Sequence, residues 1–300
     1  DIVAEYEAAN NVKFVPKYYA GGDNMLALIA QSPPGTYDLI LSDAEFVQQL
    51  NAAGYIEEMN PDDYPLDDML HEDFSQFPGH WADGKMYSMI LRGGHLGVSY
   101  NKNSVTAKEA ESYSCFWKPE LKGKVGHFDW HLPNLGQMSL YDGNGASLWN
   151  LNGSQWSKVQ ETTMSLRPQI GGFFDYGGTF NGLKNGEMQA MVGIGDWITG
   201  VLEKDGAPVA SVIPKEGGIQ FTESYSIGKG SEKAEEAKKF IQYMMSPAGQ
   251  VKSSQMLSYP VFCVTKAGRA ALTEADLEAA KRAHQFDGDA QDPITLIKAG

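Results

Sequence analysis

The chain has 300 residues and a mass of 32.8 kDa, a length that fits two domains of ordinary size. Hydrophobic residues make up 42% of it, enough to build a buried core, so an intrinsically disordered chain is excluded. Lysine and arginine number 24 against 38 acidic residues, which gives a formal net charge of -14. This balance, with no basic stripe interleaved with aromatic residues, argues against nucleic acid as a partner. It favours cationic ligands, although solubility alone explains it equally well.

No uninterrupted apolar run approaches the roughly 18 to 20 residues of a membrane-spanning helix, so no such helix is predicted. Residues 1–6 have the pattern of an amphipathic helix with neither an initiating methionine nor a signal peptide, and we expect a processed or trimmed N-terminus. The two cysteines, Cys115 and Cys263, lack the C-x-x-C spacing of zinc and redox motifs. They could form one disulfide in an oxidising compartment or remain inert core residues.

The first elements alternate between extended and helical patterns. Residues 13–19 are predicted to be extended, and residues 24–31 to form a short helix. Residues 37–41 form a compact apolar run, which is typical of a strand buried on both faces of a parallel sheet. Asp43 follows this strand and is placed to cap the next helix. That helix has an apolar face made by Phe46, Val47 and Leu50.

The same alternation recurs further along the chain, with strands at 124–128, 189–194 and 209–213 and helices at 135–148 and 197–203. Repeated units of this kind predict an α/β fold with parallel sheets covered by helices. Residues 232–245 have the pattern of an amphipathic helix, which Pro247 ends. Breaks rich in glycine at 92–94 and 215–218 divide the chain into an outer and a middle portion. We therefore expect two lobes joined by short crossings.

Motifs for catalysis are missing from the sequence. It contains no G-x-S-x-G elbow, no H-E-x-x-H helix, no Walker loop and no G-x-G-x-x-G turn. His127, Asp129 and His131 could share one face of a strand and bind a metal ion. No further histidine, cysteine or carboxylate cluster completes that site, and the strand ends before Pro133. We therefore predict no metal, no cofactor and no enzymatic activity, with a metal-dependent enzyme using these three residues as the minor alternative.

Two motifs, one on each side of the middle of the chain, carry a family resemblance. Lys-Pro-Glu-Leu-Lys-Gly-Lys-Val occupies residues 118–125, and Pro-Lys-Glu-Gly-Gly occupies residues 214–218. They stand in order with further short segments at 37–42, 52–60, 87–90, 97–101 and 240–247. Together these segments resemble the extracellular solute-binding proteins of ABC importers, specifically the spermidine/putrescine-binding group. The resemblance covers nearly the whole chain.

The resemblance implies a type II periplasmic-binding-protein clamp, an α/β fold in which each lobe is a mainly parallel sheet covered by helices. Lobe one would comprise residues 1–96 and 223–258, and lobe two residues 97–222 and 259–300, with two hinge crossings between them. Members of this family begin with a strand and an aromatic-bearing loop ahead of the first helix. Because the sequence lacks that piece, we expect one wall of the cleft to be missing from it.

The resemblance also implies how the protein works. A small ligand would be trapped between the lobes of a monomer and passed to the membrane permease of an ABC importer. The protein would be periplasmic, or extracytoplasmic and membrane-tethered in a Gram-positive host. A receptor that serves a sensor or chemoreceptor remains an alternative that the sequence does not separate from a transport receptor.

An amine ligand needs carboxylates to replace its hydration and aromatic faces to cover its methylene groups. Asp43, Glu45 and Phe46 follow a predicted strand, at the sheet edge where open α/β folds bind ligands. Phe221 falls on the family's aromatic position and Glu223 on its amine-binding carboxylate. Strand alternation places these two side chains on one face.

The second lobe departs from the family pattern. Where the polyamine group has clustered acids, this chain has Asp129 and Trp130, and Asp196 and Trp197 stand near a later site. Arg92 lies at a hinge crossing, where the family has apolar residues and an aromatic. It could bind a carboxylate of the ligand, or face solvent and pair with a surface acid.

We therefore predict a receptor for a small amine, with a polyamine of the putrescine or spermidine type as the preferred ligand. The alternative is a zwitterion such as an ω-amino acid, with its amine on Glu223 and its carboxylate on Arg92.

Overall fold

The computed structural model describes residues 2–19, 21–77, 79–256 and 260–286, and the backbone of residues 296–298. Asp1 of the predicted first helix lies outside the described residues, as do 257–259, 287–295 and 299–300 of the two predicted lobes.

Helices and strands alternate along much of the chain. The helices are α1 (Ile2–Asn10), α2 (Gly22–Ala30), α3 (Val47–Ala52), α4 (Glu72–Ser75), α5 (Ala107–Ala110), α6 (His131–Tyr141), α7 (Gly153–Ser165), α8 (Tyr176–Lys184), α9 (Asp196–Lys204), α10 (Ala234–Met245), α11 (Pro247–Ser254), α12 (Lys266–Ala275) and α13 (Leu277–Arg282). The strands are β1 (Leu39–Asp43), β2 (Trp81–Ala82), β3 (Lys85–Met86), β4 (Met89–Leu96), β5 (Val98–Asn101), β6 (Val125–Phe128), β7 (Ile170–Phe174), β8 (Ala190–Val192), β9 (Val209–Val212), β10 (Gly218–Ile227), β11 (Phe262–Cys263) and β12 (Leu296–Lys298).

The predicted helices at the start of the chain and at residues 24–31 and 232–245 are confirmed as α1, α2 and α10. Residues 13–19, predicted to be extended, form no strand. Pro247 does not merely end α10, because it is the first residue of α11 and Ser246 caps that helix by accepting a hydrogen bond from the Gly249 amide.

The first sheet has the strand order β1-β10-β4-β11, and β12 pairs with β10. Its pairs β1–β10, β10–β4 and β4–β11 are antiparallel, and β10–β12 is parallel. The prediction of a doubly buried parallel strand at 37–41 is therefore wrong, since β1 runs antiparallel and buries alternate residues only. Helices α1, α10 and α11 pack on this side of the molecule, around a core that includes Tyr6, Met89, Phe240 and Ile241.

The second sheet has the order β7-β6-β8-β5-β9. Strands β6 and β8 are parallel, as the strand-then-helix pattern predicted. Strand β7, which the pattern did not predict, is parallel to β6, whereas β5 runs antiparallel to both β8 and β9. The expectation of a mainly parallel sheet in each lobe is thus corrected to one mainly antiparallel and one mixed sheet. A large core with Val125, Met138, Ile198 and Leu202 joins the second sheet to its helices.

In the described part of the chain, two crossings connect the sheets. Strand β4 of the first sheet continues into β5 of the second through Gly97 alone, and β9 returns to β10 through residues 213–217. Gly97 is required here because a Cβ atom would lie 2.2 Å from the carbonyl oxygen of Val212, the last residue of β9 before the other crossing. The two crossings therefore run in close contact.

The C-terminal part differs from the predicted lobe boundaries. Residues 259–300 were expected in lobe two, but β11 pairs with β4 of the first sheet, with Phe262 opposite Gly93 and Cys263 opposite Arg92. Helix α12 packs on α11, which itself contacts β4. The backbone hydrogen bonds of β11 thus attach residues 262–282 to the first sheet.

Cys115 and Cys263 are free thiols buried in separate hydrophobic clusters. Burial raises the pKa of Cys115 to about 12 and that of Cys263 to about 11. Of the two alternatives, inert core residues therefore describe this structure.

Candidate ligand-binding cleft

A cleft of about 480 Å³, part of it open to solvent, lies where the two sheets face each other. Residues from both sheets and from the crossing strands line it: Asp43, Glu45, Leu96, Trp130, Leu132, Pro133, Trp149, Gly193, Trp197, Ile219 and Phe221. Acidic groups come from the first lobe and aromatic groups mainly from the second. One wall of the cleft is therefore acidic, and the opposite wall is mainly aromatic.

The acidic side is built at the end of β1. Asp43 is the last residue of the strand, and Glu45 lies in the single 3₁₀ turn Ala44–Phe46 that follows. The Asp43 side chain makes no capping hydrogen bond to this turn, so the expected capping role is wrong. Burial raises the pKa of Asp43 well above its ordinary value, and the nearby negative charges of Glu45 and Glu223 raise it further. Burial also raises the pKa of Glu45.

His80 contacts the turn Ala44–Phe46 that carries Glu45. Its ring hydrogen-bonds to the backbone of Ala44, between the two acids, and its Nε2 lies 3.3 Å from Ser224 Oγ, next to Glu223 on β10. Burial lowers the pKa of His80 to about 4, so its imidazole is neutral at physiological pH. A neutral ring holds the turn without adding a positive charge that would compete with a cationic ligand.

Arg92 and Glu223 form an ion pair on the crossing strands beside the acids. The two residues are direct partners in the β4–β10 register, and the Arg92 Nε donates to Glu223 Oε2. A second guanidinium nitrogen of Arg92 lies 3.2 Å from Met256 Sδ. Arg92 is buried, with 8% of its surface exposed. It is thus neither a solvent-facing arginine nor a group directed at a ligand alone.

Tryptophans dominate the opposite wall. Trp130 precedes α6 and Trp197 lies in the first turn of α9, where its ring stacks on Tyr176 at 5.9 Å between centroids. Trp149 lies against α6 at Gly136, where a Cβ atom would be 2.6 Å from the indole. These rings can cover methylene groups and attract an ammonium through their faces.

Phe221 completes the cleft from the crossing strand β10. Its ring lies over Gly94 of β4, at 2.5 Å from the place of a Cβ atom there. The glycine therefore makes the space that Phe221 occupies. Phe221 and Glu223 lie on one face of β10, as predicted from strand alternation.

Five predicted site residues lie outside the cleft lining: Arg92 and Glu223, which form the ion pair beside it, and Phe46, Asp129 and Asp196. Phe46 packs against Gly22 and the small core around α3, because its ring fills the space beside that glycine. Asp129 is exposed on the strand end after β6. Asp196 is buried behind the cleft, where its Oδ1 accepts a hydrogen bond from the His95 amide at 3.2 Å. Burial raises the pKa of Asp196 to about 7.

Tyr19 and Trp149 were missed by the sequence reasoning. The Tyr19 hydroxyl donates to the Leu41 carbonyl at 2.8 Å, which brings its ring to the acidic end of the cleft. Burial raises the pKa of Tyr19, and the charges of Asp43 and Glu223 add to this. Both residues lie in irregular segments, where no periodic pattern assigns a side chain to one face.

The metal alternative finds no support in the geometry. His127 is buried with its ring 5.3 Å from that of Phe173, while Asp129 and His131 are exposed. Within the residues that the structure describes, no group of three or more histidine, cysteine or acidic side chains is arranged to bind a metal ion.

Sequence comparison identifies the family. Residues 1–280 match the family described as bacterial extracellular solute-binding protein. Spermidine/putrescine-binding periplasmic protein 1 of Haemophilus influenzae is 24% identical over 265 residues, which cover 86% of this chain and 71% of that protein. Among the described helices, each falls short of the length and hydrophobicity that a bilayer-spanning helix needs.

Structural comparison shows the fold. The spermidine/putrescine ABC transporter substrate-binding protein PotD of Streptococcus pneumoniae superimposes with a TM-score of 0.80 at 17% identity, over 100% of this chain and 88% of that one. The Atu4243–GABA receptor superimposes with a TM-score of 0.77 at 16% identity, over 99% and 85% of the two chains. The fold is the predicted two-lobed α/β clamp of type II periplasmic binding proteins. The chain belongs to the bacterial extracellular solute-binding proteins, a family of receptors rather than enzymes.

Proposed function

We propose that this protein captures a polyamine of the putrescine or spermidine type and delivers it to the membrane permease of an ABC importer. The observation that carries the proposal is the pair of acids, Asp43 and Glu45, facing a tryptophan wall across one cleft. The names of its relatives, which include spermidine/putrescine-binding proteins, support the same ligand class.

The chemistry of the two walls suits an amine. An ammonium loses its hydration in the cleft, and the ionised carboxylates of Asp43 and Glu45 replace it. Each charge-assisted contact contributes about 1.5–3 kcal/mol. The methylene chain then lies against the rings of Trp130 and Trp197, and a cation over such a ring gains roughly 0.5–2 kcal/mol.

A zwitterion remains the second candidate, since Arg92 borders the cleft and a GABA receptor shares the fold. In the zwitterion hypothesis, the ligand's amine binds Glu223 and its carboxylate binds Arg92. These two side chains are bonded to each other, so a zwitterion would have to break a buried ion pair before either could bind it. This cost favours the polyamine.

We further propose that the receptor works as a monomer outside the cytoplasm, in the periplasm or tethered to the membrane. Its family is described as extracellular, and the Haemophilus influenzae relative is named a periplasmic protein, which supports this location. Service to a chemoreceptor in place of a permease is the alternative, and the genes beside this one would distinguish the two.

Calorimetric titration with putrescine, spermidine and 4-aminobutyrate tests the proposal. We expect heat from the two polyamines and at least about a tenfold loss of affinity in Asp43→Asn, because one charged contact is removed. Asp205→Asn, which changes an exposed acid at the far end of α9, is the matched control and should bind normally. Binding of 4-aminobutyrate alone, or equal affinities in the two variants, would overturn the proposal.

A further inference from the structure

Three charged side chains form a row across the first sheet. Arg92 of β4 is opposite Glu223 of β10, and Glu223 is opposite Asp43 of β1. Directly opposed residues of neighbouring strands project from the same face, so the three side chains lie side by side next to the cleft. Glu45 adjoins the Asp43 end of this row. The order along the row is positive, negative, negative.

We propose, on the basis of the proposed amine-binding function, that Arg92 determines which ligand charge the cleft binds best, because it neutralises Glu223. The cleft then binds a diamine more tightly than a triamine. The ionised carboxylates of Asp43, Glu45 and Glu223 carry three negative charges, and the Arg92 guanidinium carries one positive charge. Two negative charges therefore remain uncompensated. A dication such as putrescine balances them. A trication such as spermidine brings one ammonium for which the row has no free carboxylate.

Among the residues that the structure describes, the opposite wall does not supply the missing negative charge. Its cleft-lining side chains are Trp130, Trp149 and Trp197 together with apolar residues. Asp129, the acid predicted there, is exposed and outside the lining, and Asp196 is turned to the His95 amide behind it. The third charge of a trication would therefore rest on aromatic faces alone, which compensate lost hydration less well than a carboxylate does.

The position of Arg92 fits a counter-ion for Glu223. Its guanidinium is buried, bonded to Glu223 and in contact with Met256, so its charge acts on the row. Arg92 also acts electrostatically on Asp43 and on Tyr19, at the acidic end of the cleft. Removal of the arginine charge would release Glu223 to bind an ammonium.

A series of charge variants tests this role. Arg92→Gln leaves three negative charges, Glu223→Gln leaves one, and the double variant restores two while keeping similar side-chain volumes. We expect Arg92→Gln to raise the affinity for spermidine relative to putrescine by at least about tenfold, and Glu223→Gln to lower it. The double variant should return to the ratio of the unmodified protein. Arg167→Gln, an exposed arginine after α7, should leave the ratio unchanged.

Each outcome of the titrations decides between the two proposals. Polyamine binding with the same ratio in Arg92→Gln as in the unmodified protein would overturn the role of Arg92 alone. Binding of 4-aminobutyrate that Arg92→Gln abolishes would make Arg92 a ligand-contacting residue and would also overturn it. No amine binding by any variant would overturn the proposed function together with this inference. If Arg92→Gln does not fold, the comparison of Glu223→Gln with the double variant still decides, because their ratios must differ.

Discussion

Individual carboxylates at the end of β1 determine how the cleft responds to pH. Asp43 and Glu45 are close enough to repel each other, and both lose hydration, so both hold protons more tightly than ordinary acids. An ammonium binds the ionised forms only. The energetic cost of ionising these groups is therefore part of the cost of binding.

This coupling predicts proton release on binding. Because a bound cation favours the ionised acids, polyamine affinity should fall as the pH is lowered from 7 toward 5, with protons released on complex formation. Titrations in two buffers of different ionisation enthalpy measure the released protons. Asp43→Asn should release fewer of them and lose part of the pH dependence. Equal heats in the two buffers, with affinity constant across this range, would contradict the assignment of the acids.

Sequence reasoning placed Asp43 and Glu45 at the cleft because they follow a predicted strand, and it placed Trp130, Trp197 and Phe221 there from the family resemblance. It did not locate the partner of Arg92, because the β4–β10 register joins residues 131 positions apart. Asp196 was misplaced for a related reason. The first residue of a helix can point toward a cleft or back to a neighbouring strand, and only the packing of α9 against β4 determines which.

At the scale of elements, the crossing strands are the feature that the sequence pattern described least well. The glycines at 93 and 94 indicated a break, yet they lie inside β4 and are covered by aromatic rings. Gly93 makes space for Phe262 and Gly94 for Phe221. Glycine in a strand marks a close approach here and not a chain reversal.

Gly94→Ala is predicted to weaken ligand binding. The added methyl group would lie 2.5 Å from the Phe221 ring, which must move into or away from the cleft. We expect roughly a tenfold loss of affinity, equivalent to about 1.4 kcal/mol. Gly153→Ala at the start of α7 is the control, since nothing lies within 4 Å of its added methyl group. Similar affinities for both variants in calorimetry would show that the position of Phe221 is unimportant.

The direction of the strands could not be predicted from local patterns. A compact apolar run such as 37–41 is compatible with parallel or antiparallel neighbours, and the choice depends on which distant segment pairs with it. Strand β1 pairs with β10, which lies almost 180 residues later in the chain. By contrast, β6 and β8 pair in parallel, since the helices that follow β6 bring the chain back to the edge of the sheet where both strands begin.

For the whole molecule, the two walls of the cleft belong to different lobes and meet through the strands β4 and β10. Asp43 of the first lobe and Trp197 of the second both line the cleft, so under the proposed function a bound polyamine would contact both lobes at once. Such a ligand binds better to a conformation in which the walls approach each other, and this difference in affinity shifts the population toward it.

Ligand should therefore close the clamp. Small-angle X-ray scattering with saturating putrescine is expected to give a smaller radius of gyration than scattering without it, because the lobes rotate together about the two crossings. Asp43→Asn at the same putrescine concentration, once its folding is verified by circular dichroism, serves as the control because it loses the charged contact on the first-lobe side. Its scattering profile should stay closer to that of the unliganded protein. If putrescine binds by calorimetry while the profiles coincide, the ligand is held by one lobe, and the acids and tryptophans do not act on the same molecule.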